Sequence, residues 1–203
     1  MIAPSAQRNL PAIALELTGL LAGLSGPVVE IGSGTGLHAA HLAQSLPDLT
    51  WIPSDPAPAH RASIEAWRRH LSPPNLQPPL ALDATGPWWE MPEIAAQQPG
   101  AVFCANVIHI APWPVACGIV EGAGHALGAD GLLILYGPFI EDGQHTGEGN
   151  VRFDASLRLQ NPEWGVRELG EVTGLASGAG FGAPEVRVMP ANNRLVVFRR
   201  ASV

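Results

Sequence analysis

A segment of seven residues, Glu30-Ile31-Gly32-Ser33-Gly34-Thr35-Gly36, constrains the fold of this chain more than any other feature. It ends an apolar run that begins at Val28, and a helical pattern follows it at 37–46. Its glycines let the backbone turn sharply and approach a ligand with no β-carbon in the way. The free N–H groups at the start of the following helix suit a carboxylate or a phosphate. The segment therefore predicts a strand–turn–helix unit that holds a nucleotide-like ligand.

Strand and helix patterns alternate along the rest of the chain, which predicts a parallel sheet with helices on both faces. A length of 203 residues with 46% apolar residues fits one α/β domain, 1–203, with a sizeable core. The predicted strands are 28–31, 49–52, 80–82, 101–105, 132–136, 185–189 and 195–199. The predicted helices are 10–24, 37–46, 59–71, 114–127 and 167–179, and 86–99 is expected to be irregular apart from one short helix.

The stretch 137–165 is polar and glycine-rich, and we interpret it as an insertion after the fifth strand rather than a linker. If the segment is extended, Asn150, Arg152 and Asp154 point to the same side because strand side chains alternate. Two interpretations remain open at this stage. The insertion is either a lid over a substrate or a surface loop that satisfies its own hydrogen bonds.

The spacing of the glycines separates the classes of nucleotide-binding loop. A dinucleotide-binding loop needs glycine at its first, third and sixth positions, whereas here the sixth position is Leu37. A phosphate-binding P-loop needs a lysine, and this chain contains none. The pattern Glu-x-Gly-x-Gly-x-Gly resembles the first motif of class I S-adenosylmethionine-dependent methyltransferases.

Acidic residues also end the predicted second and third strands. Asp55 follows the second strand, where its carboxylate can accept hydrogen bonds from ribose hydroxyls. The alternative is a turn-forming aspartate before Pro56. Asp83 ends the third strand, where this fold places a group near the adenine amino nitrogen. Together with Glu30, these acids predict one nucleoside pocket at the ends of three neighbouring strands.

Five further stretches resemble one specific family, the methyltransferase-like 26 proteins, a group long carried as a domain of unknown function with no firmly assigned substrate. The similarity extends from about residue 8 to the C-terminus. The matching stretches are Trp51-Ile52-Pro53-Ser54-Asp55-Pro56, Ala101-Val102-Phe103-Cys104-Ala105-Asn106-Val107-Ile108-His109-Ile110-Ala111-Pro112-Trp113, Tyr136-Gly137-Pro138-Phe139, Asn161-Pro162-Glu163-Trp164-Gly165 and Met189-Pro190-Ala191-Asn192-Asn193. The chain has Gly32-Ser33 where we expect Ala-Ser in many relatives, and this change does not disturb the loop.

The resemblance implies a Rossmann-like class I methyltransferase fold, with a mostly parallel seven-stranded sheet, and a site for S-adenosylmethionine. By similarity to the fold, the glycine loop and Glu30 lie at the methionine part, Asp55 at the ribose and Asp83 at the adenine. The implied cofactor-binding residues are Glu30, Gly32, Ser33, Gly34, Gly36, Asp55, Pro56, Asp83, Ala84 and Asn106.

Asn106 and His109 follow the predicted fourth strand and are our candidate catalytic residues. This end of the strand belongs to the rim where such folds bind ligands. Asn106 can accept a hydrogen bond from an amine of the acceptor or of the cofactor. His109 can act as a base because the pKa of a histidine lies near neutrality, although a histidine between two isoleucines is often a packing residue.

A further set of residues is assigned to the methyl acceptor. Trp113 and Tyr136 place aromatic faces near a cation, or are simply core residues at strand ends. The insertion supplies polar side chains, and Arg8-Asn9 closes the pocket from the N-terminal side. The candidate substrate residues are Arg8, Asn9, Trp113, Tyr136, Asn150, Arg152 and Trp164.

Charge and composition exclude several partners. The net charge is −7 and the 11 basic residues are scattered arginines, so we expect no nucleic-acid partner. The apolar run at 10–24 contains Glu16 and is too short to span a bilayer, so we expect no membrane association and a cytoplasmic location. The histidines at 38 and 41 have no third ligand with matching spacing, and the cysteines at 104 and 117 lack metal or disulfide spacing, so we expect no metal.

The sequence thus predicts an S-adenosylmethionine-dependent methyltransferase acting on a small molecule. The alternative is a non-catalytic module that binds S-adenosylmethionine or S-adenosylhomocysteine and regulates a partner, because a cofactor site does not require a working acceptor site. A nicotinamide-dependent oxidoreductase is disfavoured by Leu37. The oligomeric state is left open.

Overall fold

The structure is a computed structural model that describes residue 1 and residues 3–202. Its strands are β1 (Val28–Ile31), β2 (Trp51–Pro53), β3 (Ala101–Ala105), β4 (Leu132–Gly137), β5 (Phe139–Glu141), β6 (Gln144–His145), β7 (Arg167–Glu168), β8 (Glu185–Val188) and β9 (Arg194–Arg199). Its helices are α1 (Pro4–Leu20), α2 (Leu37–Ser45), α3 (Pro58–Leu71), α4 (Pro92–Ala95), α5 (Trp113–Ala126), α6 (Glu148–Gln160) and α7 (Leu169–Gly178). Short 3-10 turns span Trp88–Glu90, Val107–His109 and Pro190–Asn192.

Six strands form the main sheet, in the order β2-β1-β3-β4-β9-β8. The pairings from β2 to β4 are parallel, and β9 and β8 are antiparallel to their neighbours. Because parallel strands end on the same edge, the segments that follow β1, β2 and β3 meet at one rim of the sheet. The predicted alternation of strands and helices is therefore confirmed, whereas the prediction of a mostly parallel sheet of seven strands is wrong.

The missing strand is the one predicted at 80–82. Residues 76–80 run beside β2 but form only isolated bridges, between Trp51 and Leu76 and between Ser54 and Leu80. Two consecutive prolines, at 78 and 79, lie between the bridges, and proline has no N–H group to donate to a neighbouring strand. The segment therefore covers the sheet edge without continuing the ladder.

Apolar side chains alternate across the strands and build a core on each face of the sheet. Val29, Val102 and Leu133 belong to the cluster that packs against α5 and α7. Val28, Phe103 and Ile134 belong to the opposite cluster, with α1 and α2. The glycine loop and the ends of the parallel strands are thereby held between two packed layers.

Residues 139–168, which we call the cap, hold a second sheet of three strands in the order β6-β5-β7 together with helix α6. Residues 150–154 are helical and not extended, so the condition under which their side chains would point to one side is not met. Asn150 and Asp154 lie one turn apart on α6 and are buried, while Arg152 is exposed. Over the described part of the chain, no helix has the length and apolarity needed to cross a membrane.

Candidate functional site

The glycine loop connects β1 to α2 in the predicted strand–turn–helix unit. Gly32, Gly34 and Gly36 have φ values of 69°, 55° and 84°, in the left-handed region that favours glycine. Ser33 braces the loop against β2, because its N–H donates to the Ser54 carbonyl at 2.8 Å and its Oγ accepts from the Ser54 N–H at 3.2 Å. The loop is thus a fixed cradle of backbone rather than a free surface turn.

Asp55 brings a carboxylate from the end of β2 onto this loop. The Gly34 N–H donates to Asp55 Oδ2 at 2.9 Å, and the Ala57 N–H donates to Oδ1 at 2.9 Å. His60 Nδ1 lies 3.1 Å from the same Oδ1. The side chain therefore forms a turn, as one of the two alternatives held, and it also bonds the glycine loop. Pro56, which follows it, is exposed.

Glu30 lies beneath the loop rather than in front of it. Its side chain is buried on β1, and Trp51 Nε1 donates to Oε2 at 2.7 Å. Burial raises the pKa of the Glu30 carboxyl to about 7, although the hydrogen bonds of Trp51 and Ser33 oppose this shift. The group can therefore change its charge near neutral pH without direct access to solvent.

The third predicted acid bonds a neighbouring residue of its own segment. Asp83 is exposed, and its Oδ1 accepts from the N–H and the hydroxyl of Thr85 at 2.9 and 2.8 Å. These two bonds lower the pKa of the Asp83 carboxyl. Ala84 is buried, and a β-carbon at Gly118 of α5 would lie 1.9 Å from its carbonyl oxygen. Within the described residues, no hydrogen bond links Asp83 to the loop or to Asp55.

The structure brings together the two candidate catalytic residues. Asn106 has a left-handed backbone (φ 64°), and its N–H donates to the Tyr136 carbonyl at 2.8 Å. A β-carbon at Gly137 would lie 2.5 Å from His109 Nε2 and 3.2 Å from Asn106 Oδ1, so both side chains converge on the end of β4. Val107, between them, packs on the glycine loop, because its Cγ2 is 2.4 Å from the position of a β-carbon at Gly32.

His109 is completely buried, and its ring stands edge-on to Phe139 with 5.2 Å between the centroids. Neither ring nitrogen has a hydrogen-bond partner within the described chain. Burial, and secondarily the positive charge of Arg167, lower the pKa of His109 to about 3. The imidazole is therefore neutral at physiological pH.

The two aromatic candidates differ in their surroundings. Tyr136 is buried in the core, and its hydroxyl accepts a hydrogen bond from Asn193 Nδ2 at 2.9 Å. Of the two alternatives, it is therefore a core residue at a strand end. Trp113 is half-buried at the start of α5, with the Arg167 guanidinium 5.5 Å from the centroid of its ring. Its face is therefore already occupied by a cation of the chain.

The candidate substrate residues of the cap differ in their surroundings. Asn150 is buried, and its Nδ2 donates to Thr146 Oγ1 at 2.9 Å and to the Asn192 carbonyl at 3.1 Å. Arg152 points to solvent and lies 3.7 Å from Glu148. Trp164 is half-buried in the turn that precedes β7.

The N-terminal candidates lie on α1, whose first turns pack beside the start of α2. His38 Nε2 lies 3.1 Å from the Ala6 carbonyl, which fixes this contact. Arg8 is exposed and Asn9 is half-buried, and neither side chain makes a hydrogen bond in the described structure.

Three functional neighbours were missed by the sequence reasoning. His60 and Arg61 lie on the first turns of α3, and Arg61 Nη1 donates to the Asp55 carbonyl at 2.9 Å. Their spacing of five and six residues from Asp55 was a usable signal, because a helix begins between them. Arg167 donates to backbone carbonyls, two of them more than fifty residues away in sequence, and lies over the face of Trp113, an arrangement without a sequence pattern. No group of three His, Cys, Asp or Glu side chains suited to a metal ion occurs in the part of the chain that the structure describes.

Several solved structures with a similar architecture are described as methyltransferases. An O-methyltransferase family protein from Burkholderia thailandensis superposes with a TM-score of 0.81 at 16% identity, over 97% of this chain and 56% of its own length. The mitomycin 7-O-methyltransferase MmcR gives a TM-score of 0.77 at 17% identity, over 97% and 54%. Human N-acetylserotonin methyltransferase, solved with S-adenosylmethionine, gives 0.72 at 16% identity, over 97% and 52%. This chain spans slightly more than half the length of these proteins.

The comparison confirms the predicted α/β Rossmann-like methyltransferase fold, with a mixed sheet of six strands in place of the expected seven. At such low identity the likeness establishes the fold alone. The sequence itself provides the narrower assignment, because residues 1–200 match the family DUF938, described as a protein of unknown function. Since the match covers nearly the whole chain, the chain belongs to the DUF938 family.

Proposed function

We propose that the chain is an S-adenosylmethionine-dependent methyltransferase that acts on a small-molecule acceptor, as its resemblance to the methyltransferase-like 26 proteins implies. The observation that carries this proposal is the hydrogen bond from the Gly34 N–H to Asp55 Oδ2, at 2.9 Å. It joins the backbone cradle to the acid of the neighbouring strand, within a fold whose solved examples include one with S-adenosylmethionine.

The residues present fit such a cofactor. A β-carbon at Gly34 would meet no atom within 4 Å, so the loop faces open space at this point. Asp55 Oδ2 accepts one hydrogen bond, from Gly34, and a carboxylate oxygen has room for a second from a ribose hydroxyl. The loop 32–36 would hold the methionine part of the cofactor above Glu30. Asp55 and Pro56 would hold the ribose, and Asp83 and Ala84 would hold the adenine. When bound, S-adenosylmethionine supplies a methyl group activated by its sulfonium.

The chain's contribution to methyl transfer is mainly positioning, since well-oriented reactants can gain roughly 7 kcal/mol or more. Asn106 and His109 converge at the end of β4 and would hold the acceptor by hydrogen bonds. We assign His109 to binding rather than to proton removal, because a pKa of about 3 makes it a weak base. Its ring is covered by Phe139 of the cap, so in this proposal the cap is a lid that admits the acceptor.

Calorimetry with S-adenosylhomocysteine tests the cofactor assignment. We expect binding to the wild type and no binding of NAD. Asp55→Asn should weaken the affinity roughly 10- to 100-fold, because it removes charge-assisted hydrogen bonds. Asp48→Asn, at an exposed aspartate outside the site, is the matched control and should leave the affinity unchanged. If the wild type does not bind S-adenosylhomocysteine, the proposal is contradicted. If Asp55→Asn binds it with unchanged affinity, the ribose role of Asp55 is contradicted.

The complete burial of His109 favours a second candidate, a binding module without methyl transfer. A screen of cellular metabolites with labelled S-adenosylmethionine separates the two. Label transfer to an acceptor supports the enzyme, and tight cofactor binding with no transfer to any metabolite supports the module.

A further inference from the structure

The turn that carries the two candidate catalytic residues is short and leaves carbonyl groups without partners from its own segment. The His109 N–H donates to the Asn106 carbonyl and the Ile110 N–H to the Val107 carbonyl, each at 3.1 Å. These two bonds close a single 3-10 turn. The carbonyls of Ile108, His109 and Ala111 accept no hydrogen bond from within the turn and need donors from elsewhere, since buried carbonyls are rarely left unpaired.

The donors come from the end of the cap, in the three residues 165–167. The Gly165 N–H donates to the His109 carbonyl at 2.9 Å. Arg167 Nε donates to the Ile108 carbonyl at 2.9 Å, and Arg167 Nη2 donates to the Ala111 carbonyl at 2.7 Å. Three carbonyls of the segment 108–111 therefore accept hydrogen bonds from one short segment that lies more than fifty residues away in sequence.

The geometry requires an arginine at this position. Its planar guanidinium bonds two carbonyls of the turn and also donates to the Glu163 carbonyl at 2.8 Å. Its face lies over Trp113, at the start of α5. A lysine has a single nitrogen and no planar face, so it cannot reproduce this set of contacts. Among the described residues no carboxylate forms an ion pair with Arg167, and so its hydrogen bonds serve backbone rather than charge.

We propose that Arg167 is a positioning residue of the acceptor side: it ties the cap to the turn after β3 and so fixes the Asn106 and His109 side chains. The inference rests on the proposed function for the role of that turn, whereas the tie itself can be tested without a cofactor. This tie also explains how the cap and the turn after β3 can act as one unit. Movement of the cap end would break the bonds that hold the turn.

Hydrogen exchange in Arg167→Met and Arg167→Lys variants tests the tie. We expect the His109, Ile110 and Gly165 amides to exchange roughly tenfold faster or more in both variants, with amides of β1 and β4 changed less than twofold. Arg199→Met is the matched control, because Arg199 also donates to a carbonyl, that of Asp130, but is exposed outside the site. If Arg167→Met does not fold, the lysine variant gives the same reading.

A second readout distinguishes positioning from general stabilisation. The side-chain NMR signals of Asn106 and His109 at neutral pH should shift or broaden in Arg167→Met, because the turn that carries them loses its donors. Unchanged exchange at these amides, full restoration by lysine, equal loosening of the main sheet, or unmoved Asn106 and His109 signals would each overturn the proposal.

Binding of S-adenosylhomocysteine keeps the two proposals apart. We expect the affinity of Arg167→Met to stay within about twofold of the wild type, because within the described residues Arg167 makes no hydrogen bond to the glycine loop. A tenfold loss would place Arg167 on the cofactor side and overturn the inference. If the wild type itself fails to bind, the proposed function is contradicted, and the exchange data still decide whether Arg167 holds the turn.

Discussion

At the scale of single residues, burial controls the charge of Glu30. The carboxyl lies on β1 with only 1% of its surface exposed, and Trp51 donates the hydrogen bond that holds it. Transfer of a carboxylate from water into such a place is unfavourable, so the proton is retained to higher pH. The nearby charge of Asp55 acts in the same direction. The folded protein therefore binds a proton that the unfolded chain releases.

This proton makes stability depend on pH. Below pH 4.5 the Glu30 carboxyl is neutral in both states, and between 4.5 and about 7 the unfolded chain ionises first, so the free energy of unfolding falls as the pH rises. Relative to Glu30→Gln, which keeps the acceptor for Trp51, the wild type should lose about 3 kcal/mol across this window. Urea denaturation at pH 4.5 and pH 7.5 measures the difference. A constant difference between the two proteins at both pH values would show that Glu30 is not held neutral.

The sequence predicted which residues lie at strand ends better than it predicted their hydrogen-bond partners. It placed Asp55 near the glycine loop because parallel strands end at one rim, and the structure joins the two by a hydrogen bond. It could not show that Thr85 would occupy the carboxylate of Asp83. Nor could it identify Arg167, whose bonds to carbonyls depend on the fold and not on a pattern of residue types.

At the scale of elements, the glycines of the loop meet different constraints. A β-carbon at Gly36, where α2 begins, would lie 2.6 Å from the Ile64 Cα of α3. At Gly34 it would meet no atom within 4 Å. Both residues have positive φ, so alanine is strained at either position. Only Gly36, however, is needed for the packing of two helices.

The two alanine variants should therefore fail in different ways. Gly36→Ala should lower the free energy of unfolding by roughly 3 kcal/mol, from backbone strain and overpacking together. Gly34→Ala should lower the free energy of unfolding by only about 1 kcal/mol. It should nevertheless weaken the binding of S-adenosylhomocysteine more than tenfold, because the added methyl group would enter the space proposed for the cofactor. Chemical denaturation and calorimetry on both proteins provide the comparison. A Gly34→Ala variant that binds normally would place the cofactor elsewhere.

Elements were predictable where their burial followed apolar residues. β1, β3 and β4 are apolar runs covered on both faces, and each was predicted within one residue of its bounds. Helix α6 was missed because the face it buries includes Asn150 and Asp154, so apolar periodicity does not reveal it. The prolines at 78 and 79, just before the predicted strand 80–82, interrupt the pairing of residues 76–80 with β2.

At the scale of the molecule, one sheet separates two cores and belongs to both. Neighbouring residues of a strand, such as Val28 and Val29, face opposite clusters. Helix α1 packs on one face and is tied to the sheet edge by an ion pair of 2.7 Å between Glu16 and Arg187. The alternation of helices and strands predicted these layers. The antiparallel pairing of β9 and β8 and the order of the strands depend on long-range contacts that local patterns do not specify.

Because the two cores share their strands, we propose that the chain unfolds as a single domain. Ile13 of α1 and Ile119 of α5 are completely buried on opposite faces. Ile13→Ala and Ile119→Ala should each lower the free energy of unfolding by roughly 2–5 kcal/mol and move one common transition. Circular dichroism and tryptophan fluorescence should agree in both variants, because Trp51 and Trp88 report on different faces. If one face melted before the other, the sheet would not couple its two cores, and the positions of the site residues on its rim would have to be explained by each layer separately.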